Sequence, residues 1–114
     1  MKCEKLDVWK RASRLSVEVY RFFKESRDYA FKDQITRSSL SVASNIAEGM
    51  EKDSLNENLR YLEIAKGSIA ELITQIYIGI EIDYIERNIG MIWVKEANEI
   101  LKMLKGLQNH LRQK

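Results

Sequence analysis

The 114-residue chain contains no proline and only five glycines. Proline breaks helix interiors and glycine weakens them, so their scarcity favours long helices joined by short connections. Cys3 is the only cysteine, which excludes an internal disulfide and is typical of a reducing compartment. The charged start at residues 1–5 is followed by no apolar segment, so we expect no secretory signal and a cytoplasmic location.

Long apolar runs are absent as well. The most apolar stretch, residues 76–82, already contains Glu81, so no membrane span is predicted. Apolar residues make up 45% of the chain and charged residues 32%, a balance typical of globular rather than disordered proteins. A chain of this length fits one core, so we expect a single domain over residues 1–114.

Catalytic and metal-binding patterns are also missing. His110 is the only histidine, and the chain lacks the Glu-x-x-His motif of di-iron bundles. The serines between residues 38 and 44 have no histidine base nearby in sequence, and no glycine-rich loop is available to hold phosphate. Cys3 is expected in a mobile terminus and is not a candidate nucleophile. We therefore expect no enzymatic activity, no metal and no cofactor.

Apolar residues recur at steps of three and four along most of the chain, which is the spacing of one helical face. This periodicity predicts helices over about residues 7–26, 31–48, 54–83 and 87–112. Amphipathic helices with such short connections pack with alternating direction. The predicted fold is an all-α, antiparallel up-down-up-down four-helix bundle.

The second predicted helix is unusual because Arg37 is its only charge between Asp33 and Glu48. A helix with so few charges should be covered on most sides, so we predict a central packing element and a candidate subunit interface. Gly49 follows the last periodic residue and predicts a left-handed helix stop. Ser54 predicts the capping start of the third helix.

Polar residues of interest on the two packed helices are Arg37, Asn45 and Glu48 on or near the second and Glu71 within the third. A buried charge is costly unless it is paired, so Arg37 and Glu71 are predicted either to pair across the two helices or to reach solvent at a helix edge. Asn45 is predicted to bond to nearby backbone.

Basic residues provide the only ligand-like signal. Net charge is +2, yet residues 1–32 and 85–114 together carry +7. Cations on the first and fourth helices could merge into one positive face that neutralises phosphates without reading sequence. An ordinary solvated face, interrupted by Glu18, is the alternative. The candidate nucleic-acid-binding residues are Lys10, Arg11, Arg14, Arg21, Lys24, Lys95, Lys102 and Lys105.

Residues 34–49, which read Gln-Ile-Thr-Arg-Ser-Ser-Leu-Ser-Val-Ala-Ser-Asn-Ile-Ala-Glu-Gly, resemble the signature of a bacterial four-helix-bundle family encoded in 23S rRNA intervening sequences. That family includes the accessory variability protein of diversity-generating retroelements. The likeness extends to residues 6–10 and 62–72. Family members often carry Arg-Arg where this chain has Thr36-Arg37, and prolines where it has Lys24 and Ala43. The motif residues are Arg37, Asn45, Glu48, Gly49, Gly67, Ser68 and Glu71.

This resemblance implies a non-enzymatic bundle that assembles as a ring, typically a homopentamer. In the retroelement branch it implies an accessory subunit that binds a reverse transcriptase and nucleic acid through basic surface. Two functions therefore remain as hypotheses. The first is an oligomeric accessory protein that binds RNA or DNA, and the second is an oligomeric scaffold that docks another protein.

Overall fold

The computed structural model describes all 114 residues, and it contains four α-helices and one short 3-10 helix. The 3-10 helix spans Lys2–Lys5, and it is followed by α1 (Asp7–Phe22), α2 (Tyr29–Glu51), α3 (Leu55–Glu81) and α4 (Arg87–Arg112). Each helix packs against the next in the chain, and α1 also packs against α4. These contacts confirm the predicted all-α, antiparallel four-helix bundle.

Helix boundaries differ from the prediction mainly at the first connection. Helix α1 ends four residues earlier than predicted, so Lys24 lies in the turn that follows it. Helix α2 begins at Tyr29 because the Asp28 carboxylate accepts a hydrogen bond from the Phe31 N–H at 3.1 Å. Helix α3 starts as predicted, with the Ser54 hydroxyl accepting from a first-turn N–H at 3.2 Å.

The prediction that Gly49 stops α2 is wrong. The helix continues through Gly49 to Glu51, and no glycine in the chain has a positive φ. Gly49 is buried instead, with its Cα facing α3, where an added Cβ would lie 2.8 Å from the Tyr61 Cβ. The Asn58 amide donates a hydrogen bond to the Gly49 carbonyl at 2.6 Å. Glycine is therefore needed at position 49 because it allows α2 and α3 to approach closely, and not because it forms a turn.

The core is one continuous cluster to which all four helices contribute. Its fully buried members include Val19, Ile35, Ile46, Ile69 and Ile100. The predicted stripes of α1, α3 and α4 supply most of the remaining core side chains.

The expectation that Cys3 lies in a mobile terminus is also wrong. Its side chain is fully buried within the 3-10 helix, which packs against α1 and α2. Burial raises the pKa of the Cys3 thiol, which keeps the thiol protonated and poorly nucleophilic at neutral pH.

Aromatic side chains tie together the two turns at one end of the bundle. Phe22 packs edge-on against Trp93 at a centroid distance of 5.2 Å, and Phe31 packs likewise against Tyr84 at 5.4 Å. The Tyr84 hydroxyl donates to the Asp28 carboxylate at 2.6 Å. The α1–α2 and α3–α4 turns are therefore held side by side, which places α1 next to α4.

Helix α2 is less covered than its composition predicts. It contacts α1 and α3 but not α4, so one of its sides faces outward. On that side Leu40 is 48% exposed and Ser44 is also exposed. The prediction of cover on most sides is therefore wrong for the single chain.

Replacing Gly49 with alanine should destabilise the bundle, although alanine normally favours a helix interior. The nearest atoms to the new Cβ are the Tyr61 Cβ and the Asn58 backbone oxygen. Neither atom is the end of a flexible side chain, so the helices themselves would have to shift. We expect a loss of about 1–3 kcal/mol in the free energy of unfolding, measured by urea denaturation. Gly67→Ala is the matched control, since nothing lies within 4 Å of its added Cβ. The control should gain about 0.5–1 kcal/mol, and an equal gain in both variants would contradict the packing role of Gly49.

Candidate nucleic-acid interface

Helices α1 and α4 are neighbours, as the predicted basic face requires. Their direct contacts include the edge-on packing of Phe22 against Trp93 and a two-pronged ion pair between Arg11 and Glu96. The cations of both helices therefore lie on adjoining parts of the surface.

On α1 the structure brings three candidate cations together. Lys10, Arg14 and Arg21 are exposed and line one shallow groove of about 540 Å³ on the outer side of the helix. None of the three forms an ion pair. Lys24 is exposed as well but lies past the end of the helix. This outer side of α1, with Lys10, Arg14 and Arg21, is called the α1 basic face below.

On α4 the candidate cations are less concentrated. Lys95 and Lys102 are seven residues apart, so they lie on the same side of the helix, two turns from each other. Lys105 is three residues further along and is turned partly away from them. All three are exposed, and the Lys102 ammonium lies 4.0 Å from the Glu99 carboxylate.

Arg11 has a structural position and is not free to bind a ligand. Its Nε and Nη2 atoms donate to the two carboxylate oxygens of Glu96 at 2.8 and 2.6 Å. The hydrogen bonds to Glu96 raise the pKa of Arg11 and lower the pKa of Glu96. The two residues are 85 positions apart, so their pairing could not be read from sequence spacing.

Carboxylates separate the cations of the two helices. Glu96 lies at the α1–α4 seam, and Glu99 lies close enough to act electrostatically on Arg11. Glu18 lines the same shallow groove as Lys10, Arg14 and Arg21, so a carboxylate also interrupts the α1 basic face. The predicted merging of the two stripes is therefore incomplete, and the densest set of unpaired cations is the α1 basic face.

The family-motif residues lie mostly between α2 and α3 rather than near these cations. Arg37, Ser68 and Glu71 line a small polar groove there, and Arg37 and Glu71 are exposed without forming an ion pair. Of the two alternatives for this pair, exposure at a helix edge is the one observed. Asn45 donates to the Ser41 carbonyl at 2.8 Å, which confirms its predicted backbone bond.

The two remaining motif residues are exposed. Glu48 lies 3.6 Å from Lys52 in an ion pair between successive turns, and Gly67 lies on an open part of α3. Neither residue lines a groove, so neither one indicates a bound ligand.

An apolar groove between α1 and α2 was not predicted as a site. It has a volume of about 460 Å³, and its exposed apolar members are Val17, Tyr20 and Leu40. Ser16 and Ala43 complete its floor. The sequence signal was the near absence of charge on α2, which we interpreted as central packing and as a candidate subunit interface without assigning a groove. This groove is called the α1–α2 apolar groove below.

The structure brings no acid, base and nucleophile together in a catalytic arrangement. No group of three or more His, Cys, Asp or Glu side chains is placed to hold a metal ion. His110 is exposed near the end of α4. None of the helices combines the length and the apolar character needed to cross a membrane.

The fold and its surfaces describe a small four-helix bundle with one core and separate basic, apolar and polar grooves on its outside. Residues 4–106 match the model of the 23S rRNA-intervening sequence protein family. The chain belongs to that family, as the resemblance of residues 34–49 implied.

A solved structure with the same fold supports this assignment. It is a protein of unknown function of the S23 ribosomal protein family from Bacteroides thetaiotaomicron, with 25% sequence identity and a TM-score of 0.83. The match covers 89% of this chain and 97% of that protein. A comparison with curated proteins finds no match.

Removing the Glu96 carboxylate should cost stability in a pH-dependent way. Because Arg11 lowers its pKa, Glu96 contributes stability above its ordinary pKa of 4.5, and this contribution is lost as the pH falls through the lower folded-state value. Both side chains are about a third exposed, so solvent screening limits the loss in Glu96→Gln to about 0.5–1 kcal/mol at pH 7.

Urea unfolding of both proteins at several pH values measures this difference. It should shrink toward zero in acid, where the native carboxyl group is protonated as well. Glu25→Gln is the control, since Glu25 is exposed in a turn and unpaired. A pH-independent loss at Glu96 would show that the ion pair is not its cause.

Proposed function

We propose that this protein is a non-enzymatic, homo-oligomeric accessory protein that binds nucleic acid through the α1 basic face. The observation that carries the proposal is the grouping of Lys10, Arg14 and Arg21 on one side of α1, all exposed and none in an ion pair. Cations that are free of carboxylate partners remain available to phosphates. Membership of the 23S rRNA-intervening sequence protein family supports an RNA context for this surface.

The dimensions of the α1 basic face suit a nucleic-acid backbone. Lys10 and Arg21 are separated by eleven residues, or about 16 Å along the helix axis. One strand of a nucleic acid places about five phosphates along that distance. Trp9 lines the same groove but is partly buried against the core, so the three cations would contact phosphates and we expect binding with little sequence preference.

Self-assembly would strengthen such weak contacts. One protomer neutralises about three phosphates, whereas a ring of protomers presents the same face repeatedly to one strand and gains affinity through effective concentration. We therefore propose a homo-oligomer, with the pentamer implied by the family resemblance as its form.

The α1–α2 apolar groove is the surface that we propose for self-assembly. Val17, Tyr20 and Leu40 are each between 42% and 48% exposed around it, an exposure that would be reduced by a second copy. Helix α3 offers a complementary apolar ridge with Ile78 and Ile82 exposed. Contact between two different surfaces is heterologous, which is the kind of contact that generates closed rings.

Charges around these two surfaces are complementary as well. Arg21 borders the α1–α2 apolar groove, whereas Glu81 and Asp83 flank the α3 ridge near Ile82. Opposite charges at the rim favour one register of docking over its alternatives. A groove of one protomer could thus receive the α3 ridge of the next.

A scaffold that docks another protein is the second candidate function. The α1–α2 apolar groove favours it, because an exposed apolar groove accepts an apolar segment of a different protein as readily as a second copy. This candidate predicts no nucleic-acid binding at physiological salt and a specific partner, such as the reverse transcriptase that the family resemblance suggests. The two functions therefore differ in their response to the cations of α1.

Charge reversal of the α1 basic face tests nucleic-acid binding. Lys10→Glu and Arg14→Glu together should abolish binding of a labelled single-stranded RNA, measured by fluorescence anisotropy, while the oligomer stays intact because neither residue lines the α1–α2 apolar groove. For the native protein, log K should fall with log salt with a slope of about −2 for each bound protomer, because three neutralised phosphates release counterions.

The matched control reverses two cations elsewhere on the surface, Lys2 and Arg60, and changes the net charge equally. We expect it to retain most of the binding. Equal loss in both variants would attribute binding to overall charge and contradict a specific face. Undetectable binding by the native protein at low salt would favour the scaffold.

Substitution of Leu40 tests the surface proposed for assembly. Leu40 is half exposed in the single chain, so Leu40→Glu should cost the bundle little stability but should lower the mass measured by sedimentation velocity. Ile92→Glu is the control, since Ile92 is 66% exposed on α4 and does not line the α1–α2 apolar groove. An unchanged mass for Leu40→Glu, or an equal drop for Ile92→Glu, would remove the α1–α2 apolar groove as the interface.

A further inference from the structure

The polar groove between α2 and α3 lies on the opposite side of the bundle from the α1–α4 seam, since α2 and α3 are the two helices that take no part in that seam. Its volume is about 190 Å³, and none of its lining side chains is apolar. The groove is lined by Gln34, Arg37, Ser38, Ser41, Ser68 and Glu71. We call it the α2–α3 notch.

One cation and one anion face the α2–α3 notch without neutralising each other. Arg37 and Glu71 are both exposed, and neither takes part in any ion pair or side-chain hydrogen bond. The guanidinium offers a fork of donors, and the carboxylate offers only acceptors. The notch therefore presents opposite charges on its two helices.

The floor of the notch consists of hydroxyl groups with unused donor capacity. Ser38 is only 8% exposed, and its hydroxyl has no hydrogen-bond partner even though a helical serine can bond to its own backbone. Ser41 and Ser68 share a hydrogen bond of 2.8 Å across the two helices. The Ser38 hydroxyl lines the notch and is accessible to solvent there, so its hydrogen-bonding capacity is free for a bound molecule.

The Asn45 side chain hydrogen-bonds to one of the hydroxyl groups that form the floor of the notch. Its amide donates to both the Ser41 carbonyl and the Ser41 hydroxyl oxygen, at 2.8 and 2.9 Å. Either hydroxyl can donate in the bond between Ser41 and Ser68, but a hydroxyl that accepts from an amide is the better donor, which favours the arrangement in which Ser41 donates to Ser68. The Ser68 proton is then left for an acceptor in the notch, beside the donors of Arg37.

These groups exclude most classes of ligand. A simple anion would be repelled by Glu71, and a simple cation by Arg37. A nucleobase would need an aromatic or apolar surface on which to stack, and the lining has none. The volume is also below the roughly 300–1,000 Å³ of sites that enclose drug-sized ligands, so the ligand must be small.

We propose that the α2–α3 notch binds a small zwitterion of free amino-acid type, with its carboxylate on Arg37 and the Ser38 and Ser68 hydroxyls and its ammonium group on Glu71. Both charges of such a ligand find a partner, and its carboxylate accepts a hydrogen bond from the Ser38 hydroxyl. This site is independent of the proposed nucleic-acid binding, because it uses the two helices on the far side of the bundle.

The test is a titration of the intact, ¹⁵N-labelled protein with L-serine, followed by transverse-relaxation-optimised NMR. We expect saturable shifts at the amides of Ser38, Ser41 and Ser68, with a midpoint in the millimolar range because so polar a ligand buries little apolar surface. L-glycerate, in which a hydroxyl replaces the ammonium group, and ethanolamine, which lacks the carboxylate, should each bind at least tenfold more weakly.

Two variants test which residues bind the two charged groups of the ligand. Arg37→Gln and Glu71→Gln should each weaken the L-serine response at least tenfold, and both lie at exposed positions where the fold tolerates the change. Arg27→Gln is the matched control, since Arg27 is exposed in a turn outside the notch, and it should leave the response unchanged.

Three results would overturn the proposal. The first is the absence of saturable shifts up to tens of millimolar L-serine. The second is an equal response to L-glycerate or ethanolamine, or one that survives both charge-neutralising variants. The third is that the notch amides shift with protein concentration instead of ligand, because a second copy would then cover them. None of these results affects the response of RNA binding to reversal of the α1 basic face.

Discussion

The close approach of α2 and α3 is the constraint on which the rest of the structure depends. Gly49 has no side chain where the Tyr61 Cβ packs, and Asn58 bonds across to the Gly49 carbonyl. Further along the seam, Ser41 and Ser68 are near enough to share a hydrogen bond. Small residues on both helices let their backbones come together, and this pair then forms the foundation against which α1 and α4 pack from either side.

The order of the helices around the bundle sorts the surface into chemically distinct parts. The outer side of α1 carries unpaired cations, the cleft between α1 and α2 is apolar, and the cleft between α2 and α3 is polar and carries both charges. Each part therefore suits a different kind of binding. The core beneath these surfaces is filled by aliphatic and aromatic side chains from all four helices.

The sequence alone predicted the features that depend on local pattern. The helical periodicity predicted the fold class and the limits of α4, and residues 34–49 predicted the family. Contacts between distant parts of the chain were beyond such reasoning. The ion pair that removes Arg11 from the candidate interface joins residues 85 positions apart, and Gly49 contacts a neighbouring helix where its position suggested a turn. The low charge of α2 indicated packing correctly, but the exposure of Leu40 depends on which helices surround it.

The central claim is that this family member acts through its surface as an assembly that holds nucleic acid by charge. Sedimentation velocity of the native protein mixed with a fluorescent single-stranded RNA, at low and at high salt, tests it most directly. The account predicts one oligomer whose mass does not depend on salt, with RNA co-sedimenting at low salt and released at high salt. A monomer that never co-sediments with RNA would contradict it.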